Sequence, residues 1–368
     1  AMGARLLRCS EAGLPQKERW FYRLASEVPK LARWGVRVIY VSGALESDAD
    51  KTKSDWLAGS ICFGSVCAPW RLEVSPCMGG EEGLKHLCEV AHRQGMKIVL
   101  WSTPAHLSNS SPLLRQHPEW LAWKADGTPE HFGYKDITGV SLRRGYFDYA
   151  MRQYEKIHRA TGFDGLWQDS FLTFGILTDF SEAEPYPQLD ETIAMQRQLQ
   201  AMGCTEIHIE GCGPFGLSSG GYGYGRPEVF QRIKGREYGL YHYVADTRIE
   251  PESYFRALAS KGIIGIKSIA EFENLSPDVK GRIAQFNYAY LKALPRMKRR
   301  KLIGDGDRWL AVEWLDSRGR KSVLFAFEPM RWETGRGAKV MDLNVNRECE
   351  MRNGLVECEP GRVYVIRR

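Results

Sequence analysis

Two hydrophobic periods alternate along most of the chain. Short β-branched runs occur at residues 36–41, 97–101, 163–167, 206–209, 240–244 and 262–266. Between them, apolar residues recur at helical spacing over residues 19–33, 83–94, 145–160 and 190–202. A short, almost continuous apolar run suits a strand covered on both faces, and the longer 3.6-residue pattern suits a helix that does the covering. Three of the helical stretches run into Gly35, Gly95 and Gly162 just before the next strand. Glycine there permits the left-handed residue that stops a helix and turns the chain back.

Repeated strand–helix units imply parallel strands joined by right-handed crossovers. A doubly wound sheet would carry a glycine-rich phosphate turn after an early strand. Here the glycine-rich stretch lies late, at residues 211–225, and opens no helix. The segments after residues 41, 101, 169 and 210 are long and rich in Trp, Asp, Gly and Ser, as expected of the loops above a (β/α)₈ TIM barrel. Six strands are clear; residues 6–8 and 269–272 are weaker candidates for the other two.

Beyond about residue 300 the period shortens. Residues 309–315, 322–327, 339–343 and 362–366 read as short strands, with Asp316-Ser-Arg-Gly319 as a hairpin turn. The expected organisation is an α/β chain: a (β/α)₈ barrel over residues 1–299 and a small antiparallel, β-sandwich-like domain over 300–368.

Composition narrows the function classes. The chain of 368 residues holds one barrel and a small extra domain. Its net charge of +6 is spread out and gives little reason to invoke nucleic acid. The basic run Lys298-Arg-Arg-Lys301 reads as a solvated helix end. No apolar stretch is long enough to span a membrane. Nine scattered cysteines and eight dispersed histidines form no metal-ligand pattern, so neither metal nor cofactor is expected. Reduced thiols point to the cytoplasm; Ala1-Met2-Gly3 reads as a trimmed start, which leaves a removed leader for secretion or the periplasm, or a removed N-terminal domain, as the alternative. Oligomeric state is not legible. The 11 Trp and 16 Tyr suit a carbohydrate partner as well as a large core, because a sugar's C–H face packs on aromatic rings.

Barrel enzymes work at the C-terminal ends of their strands, so strand-end carboxylates are the candidates. They are Asp169, Glu210, Asp246 and the later Glu271. Cleaving a glycosidic bond needs two: one to attack or stabilise the anomeric carbon, one to protonate the leaving oxygen. Trp101 and Trp167 are pocket-wall or barrel-filling residues; Trp167 precedes Asp169 by two and so shares its face. His242 and Arg248 are candidate sugar contacts, and His117-Pro118-Glu119-Trp120 reads as a loop-fixing element.

Several segments resemble glycoside hydrolase clan D, above all family 36 α-galactosidases. Leu100-Trp101-Ser-Thr-Pro104 with His117-Pro118-Glu119-Trp120 is similar to the clan's third-strand region, and Gly162-Phe-Asp-Gly-Leu-Trp-Gln-Asp169 to the fourth-strand segment that ends in its nucleophile. Glu210-Gly-Cys212 followed by Gly220-Gly221 resembles its fifth-strand pattern, and Tyr243-Val-Ala-Asp246 loosely its sixth. The resemblance implies a retaining α-glycosidase working by double displacement, with Asp169 as nucleophile, Asp246 as acid/base and Cys212 near the sugar. Two departures fall among residues that select the sugar. The family's Asp-Asp-Gly-Trp is replaced by Val41-Ser42-Gly43-Ala44, with Glu46 and Asp48 close by, and its lysine two residues before the nucleophile is Trp167. Amylase-type barrels offer another pairing, in which Glu210 is the acid and Asp246 a stabiliser. A transglycosidase sharing the covalent intermediate, a non-catalytic carbohydrate-binding barrel and a metal-dependent hydrolase are the rival functions.

Overall fold

The computed structural model describes residues 13–41, 43–47, 68–131, 137–169, 178–210, 217–219, 244–246, 250–261, 263–265, 272–305 and 308–367. The chain forms two compact units, divided after Ser218.

In the first unit, the strands β1 (Val38–Val41), β2 (Lys97–Ser102), β3 (Gly165–Gln168) and β4 (Glu206–Glu210) lie side by side, all parallel and in chain order. The order never reverses, as it would at the switch point of a doubly wound sheet. The helices α1 (Trp20–Arg33), α2 (Gly80–Arg93), α3 (Tyr146–Thr161) and α4 (Leu189–Ala201) alternate with these strands. Each buries a stripe at helical spacing, such as Phe21, Leu24, Val28 and Leu31 in α1 or Leu84, Leu87 and Ala91 in α2. A fully buried Leu in such a stripe contributes about 1.5–3 kcal/mol. Gly35, Gly95 and Gly162 have φ of 85°, 67° and 72°, the left-handed stops expected from the sequence.

Strand parity sorts the two faces. Ser102 Oγ meets Tyr154 Oη of α3 at 2.5 Å, and Gln168 Nε2 reaches Met195 Sδ of α4 at 3.2 Å, so these positions face the helices. Trp101, Trp167 and His208 have the opposite parity and face away from them. On that inner side Tyr40 of β1 hydrogen-bonds His208 of β4. Three inter-strand spacings of a flat sheet amount to about 14 Å, more than the two side chains bridge. The contact therefore requires the four strands to curl into a wall, concave on its inner face.

Below the strands, Asp164 ties the ladder together. Its carboxylate accepts from the Ile98 backbone N–H at 2.8 Å, Lys97 Nζ at 2.9 Å and His92 Nε2 at 2.8 Å. Above them, loop hairpins pair Leu45–Ser47 with Pro69–Val74 and His106–Ser108 with Ile137–Gly139.

The second unit contains a parallel pair, Val244–Asp246 with Ile263–Gly265, and a six-stranded antiparallel sheet between Arg299 and Arg367. Val312, Trp314, Val323, Phe325, Val363 and Val365 cover one face and pack with Phe255, Leu258, Phe286 and Ala289 of the helices Pro251–Ala259 and Pro277–Ala293. Ala311, Leu324, Tyr364 and Ile366 form a second core with Trp332 and Val356 of the hairpin Met330–Glu333/Leu355–Cys358. Both faces are covered, which is why these strands read as nearly continuous apolar runs. The basic run departs from its expected role. Arg299–Lys301 begin a strand, and Arg300 is only 6% exposed opposite Trp314; burial pushes its guanidinium pKa down to about 10. Consecutive charges hid the period-two alternation that turns Arg300 inward.

Residues 6–8, 240–243 and 269–271 of the expected strands lie outside the described residues. Among the described residues, no helix is long and apolar enough to cross a membrane.

Candidate active site

The inner face of the parallel wall carries the candidate chemistry. Register pairs Trp101 with Trp167 and Trp167 with His208, so the three rings lie at one level of β2, β3 and β4. Trp101 is buried, at 2% exposure, and serves as interior filling; Trp167 is half-buried. Asp169 is the next position of Trp167's parity, just past the end of β3, and is half-buried. Its backbone N–H donates to Ser102 O at 2.8 Å, which prolongs the ladder by one residue and fixes where this carboxylate emerges.

Glu210 closes β4. The β3–β4 register runs Glu206 with Gly165, Ile207 with Leu166, His208 with Trp167 and Ile209 with Gln168. The residues that follow the last register pair are Asp169 on β3's side and Glu210 on β4. Asp246 ends Val244–Asp246 opposite Gly265 in the second unit. Glu46 is 7% exposed in its hairpin, with the Arg71 guanidinium 3.8 Å from its carboxylate. Asp48, Cys212, His242, Arg248 and Glu271 lie outside the described residues.

Beneath the carboxylates runs a buried hydrogen-bonded chain that residue-by-residue reading did not single out. Burial, reinforced by the Glu206 charge, pushes the Tyr40 phenol well above its ordinary pKa, so it stays protonated. The ionised Glu206 carboxylate can only accept, so His208 Nε2 donates to Oε2 at 2.9 Å, and a neutral ring then accepts from the Tyr40 hydroxyl at Nδ1. The Tyr40 ring also meets Trp167 edge-on, with centroids 5.7 Å apart. The sign of this chain in the sequence is a histidine within the β-branched run at residues 206–209. Among the described residues, no three His, Cys, Asp or Glu side chains gather as a metal site.

His106, also not singled out, lies in the loop hairpin that follows β2. Complete burial lowers its pKa to about 3, so it is neutral. His117 stacks on Trp120 at 4.0 Å, and Trp120 Nε1 donates to Arg144 O at 2.9 Å, so this element ties its loop to the approach to α3.

No protein-family profile matches the chain. Over 165 residues it is 26% identical to the α-1,4-glucan:maltose-1-phosphate maltosyltransferase of Cereibacter sphaeroides; the match covers 39% of this chain and 27% of that protein, so it spans about a quarter of the relative's length. Among solved structures, an α-amylase from Lactobacillus plantarum superposes with a TM-score of 0.67 at 15% identity, over 95% of both chains. A family 36 α-galactosidase from Geobacillus stearothermophilus reaches a TM-score of 0.62 at 12% identity, over 95% of this chain but 54% of its own. The chain shares the α/β fold of α-amylase-type enzymes, with an antiparallel β domain at its C-terminal end.

Proposed function

We propose that the chain is a retaining, α-glucan-active enzyme, a hydrolase or a transglycosylase, whose nucleophile is Asp169 and whose general acid/base is Glu210. In this reading residues 1–299 close as a (β/α)₈ barrel and residues 300–368 form the accessory domain. The observation that supports it is the β3–β4 register, whose last pair, Gln168 with Ile209, is followed by Asp169 on one strand and Glu210 on the other. Two carboxylates about 5–5.5 Å apart suit double displacement: one attacks the anomeric carbon while the other protonates the leaving oxygen and then deprotonates the incoming acceptor. Asp246 is then a transition-state stabiliser.

The sugar follows from the likenesses. A relative named for α-1,4-glucan and a solved neighbour named α-amylase favour glucose units over the galactose implied by family 36. A second reading, the family 36 pairing of Asp169 with Asp246 on another α-glycoside, is supported by the structural likeness to an α-galactosidase. Incubation with maltooligosaccharides and, separately, with aryl α-galactosides tests the choice. Turnover of the glucan with initial release of the α-anomer is expected. Turnover of the galactoside alone, or release of the β-anomer, defeats the proposal.

A further inference from the structure

We infer that Tyr40, acting through His208 and Trp167, is a positioning residue that holds the two proposed carboxylates in register for catalysis. The inference rests on the assignment of Asp169 and Glu210 above.

Trp167 and His208 are register partners on β3 and β4, and Asp169 and Glu210 are each two residues further on. Along a strand two residues span about 6.6 Å, so each proposed carboxylate residue stands one same-parity step above one of these rings. Tyr40 is tied to both. Its hydroxyl donates to His208 Nδ1, and its ring packs edge-on against Trp167 at 5.7 Å and against His208 at 5.0 Å. Glu206 holds the far side of the imidazole. The His208 ring is thus gripped at both nitrogens, and its side chain is fully buried.

The tyrosine crosses the inner face from the first strand to the fourth. It braces the two strands that present the carboxylates, although it lies on neither of them. Simple core filling needs an apolar residue of this size, not a buried phenol joined to a histidine and a carboxylate. A buried polar chain of this kind costs desolvation and gives in return one fixed geometry. Displacements of about 1 Å at a reacting pair cost up to about a hundredfold in rate. Bracing the pair's separation should therefore appear in kcat more than in KM.

The test uses the full chain and a maltooligosaccharide that the wild type turns over. Tyr40→Phe removes only the hydroxyl and Tyr40→Ala removes the ring as well. His208→Phe breaks both hydrogen bonds, whereas His208→Asn keeps an acceptor near the Nδ1 position. Activity is expressed per folded molecule, with Tm measured alongside. The inference predicts that Tyr40→Phe and His208→Phe lower kcat by about tenfold with KM within about twofold. It also predicts partial recovery in His208→Asn and a larger loss in Tyr40→Ala. An unchanged kcat per folded molecule in Tyr40→Phe overturns it, as does a loss of kcat equal in His208→Asn and His208→Phe. Should Tyr40→Ala fail to fold, the Tyr40→Phe result still decides. Asp169→Asn is assayed in parallel. If that variant keeps wild-type turnover, the carboxylate assignment fails; if it is inactive while Tyr40→Phe is normal, only the positioning role fails.

Discussion

Trp167 and His208 are register partners on neighbouring parallel strands, and one step of two residues from each leads to Asp169 and to Glu210. That shared step supports the proposed pairing of Asp169 as nucleophile with Glu210 as acid/base. With an aryl α-maltoside bearing a good leaving group, Glu210→Ala should retain substantial turnover, because little protonation is needed. The same variant should lose about a hundredfold or more on maltooligosaccharides. Asp246→Ala should lose activity on both substrates alike. Steady-state kinetics on the two substrates checks this, and the reverse pattern would assign the acid to Asp246.

Gly165 is predicted to be irreplaceable. A Cβ there would overlap the carbonyl oxygen of Glu206 on the adjacent strand. Moving either backbone would break the β3–β4 ladder on which the register argument depends. Gly165→Ala should cost at least about 3 kcal/mol or prevent soluble folding. Thermal unfolding of the purified variant measures the loss, and a Tm within a degree or two of wild type would contradict the packing described.

Asp164 should matter for stability and not for chemistry. It precedes β3 at the end away from Asp169, and its 7%-exposed carboxylate accepts from Ile98 N–H, Lys97 and His92. Its two side-chain partners are partly exposed, so most of the loss comes from the buried backbone donor. Asp164→Ala should destabilise the chain by about 2–3 kcal/mol in denaturant titration, with kcat per folded molecule unchanged. A loss of kcat at full stability would move Asp164 into the site.

His106 makes stability depend on pH in a known direction. Its folded pKa of about 3 lies below the ordinary value of 6.5. Above about pH 6.5 the imidazole is neutral in both states and contributes no slope. Between there and about pH 3 the unfolded chain binds a proton that the folded chain refuses, so stability falls as pH falls, by up to about 1.4 kcal/mol per pH unit. The difference in unfolding free energy between wild type and His106→Gln should therefore shift in favour of the variant from pH 7 to pH 5. Parallel pH profiles for the two proteins would remove His106 from this account.

Much of the first unit was legible because its periods are clean. Apolar runs placed β1 to β4 and their helices within a few residues, since a strand covered on both faces and an amphipathic helix leave different patterns. The turn glycines were legible because only glycine takes those φ values cheaply. The position of Asp169 just past β3 was legible because the apolar run before it shows where the strand stops. The Tyr40–His208 contact was not. Its partners are 168 positions apart, and they meet only because the sheet curls. Arg300 was missed for a related reason: composition shows four consecutive basic residues but not which of them a strand turns inward. The register on which the proposed Asp169–Glu210 pairing rests was equally out of reach, because one sequence does not display which strands lie side by side.

The most direct test of the central claim is to trap the covalent intermediate. Wild-type protein is incubated with a fluorinated α-glucosyl fluoride, which forms the glycosyl-enzyme quickly and releases it slowly, and the labelled peptide is then identified by mass spectrometry. The account predicts a single glycosyl adduct on Asp169, absent from Asp169→Asn. An adduct on any other carboxylate, or turnover of the reagent to the β-anomer with no adduct, would contradict it.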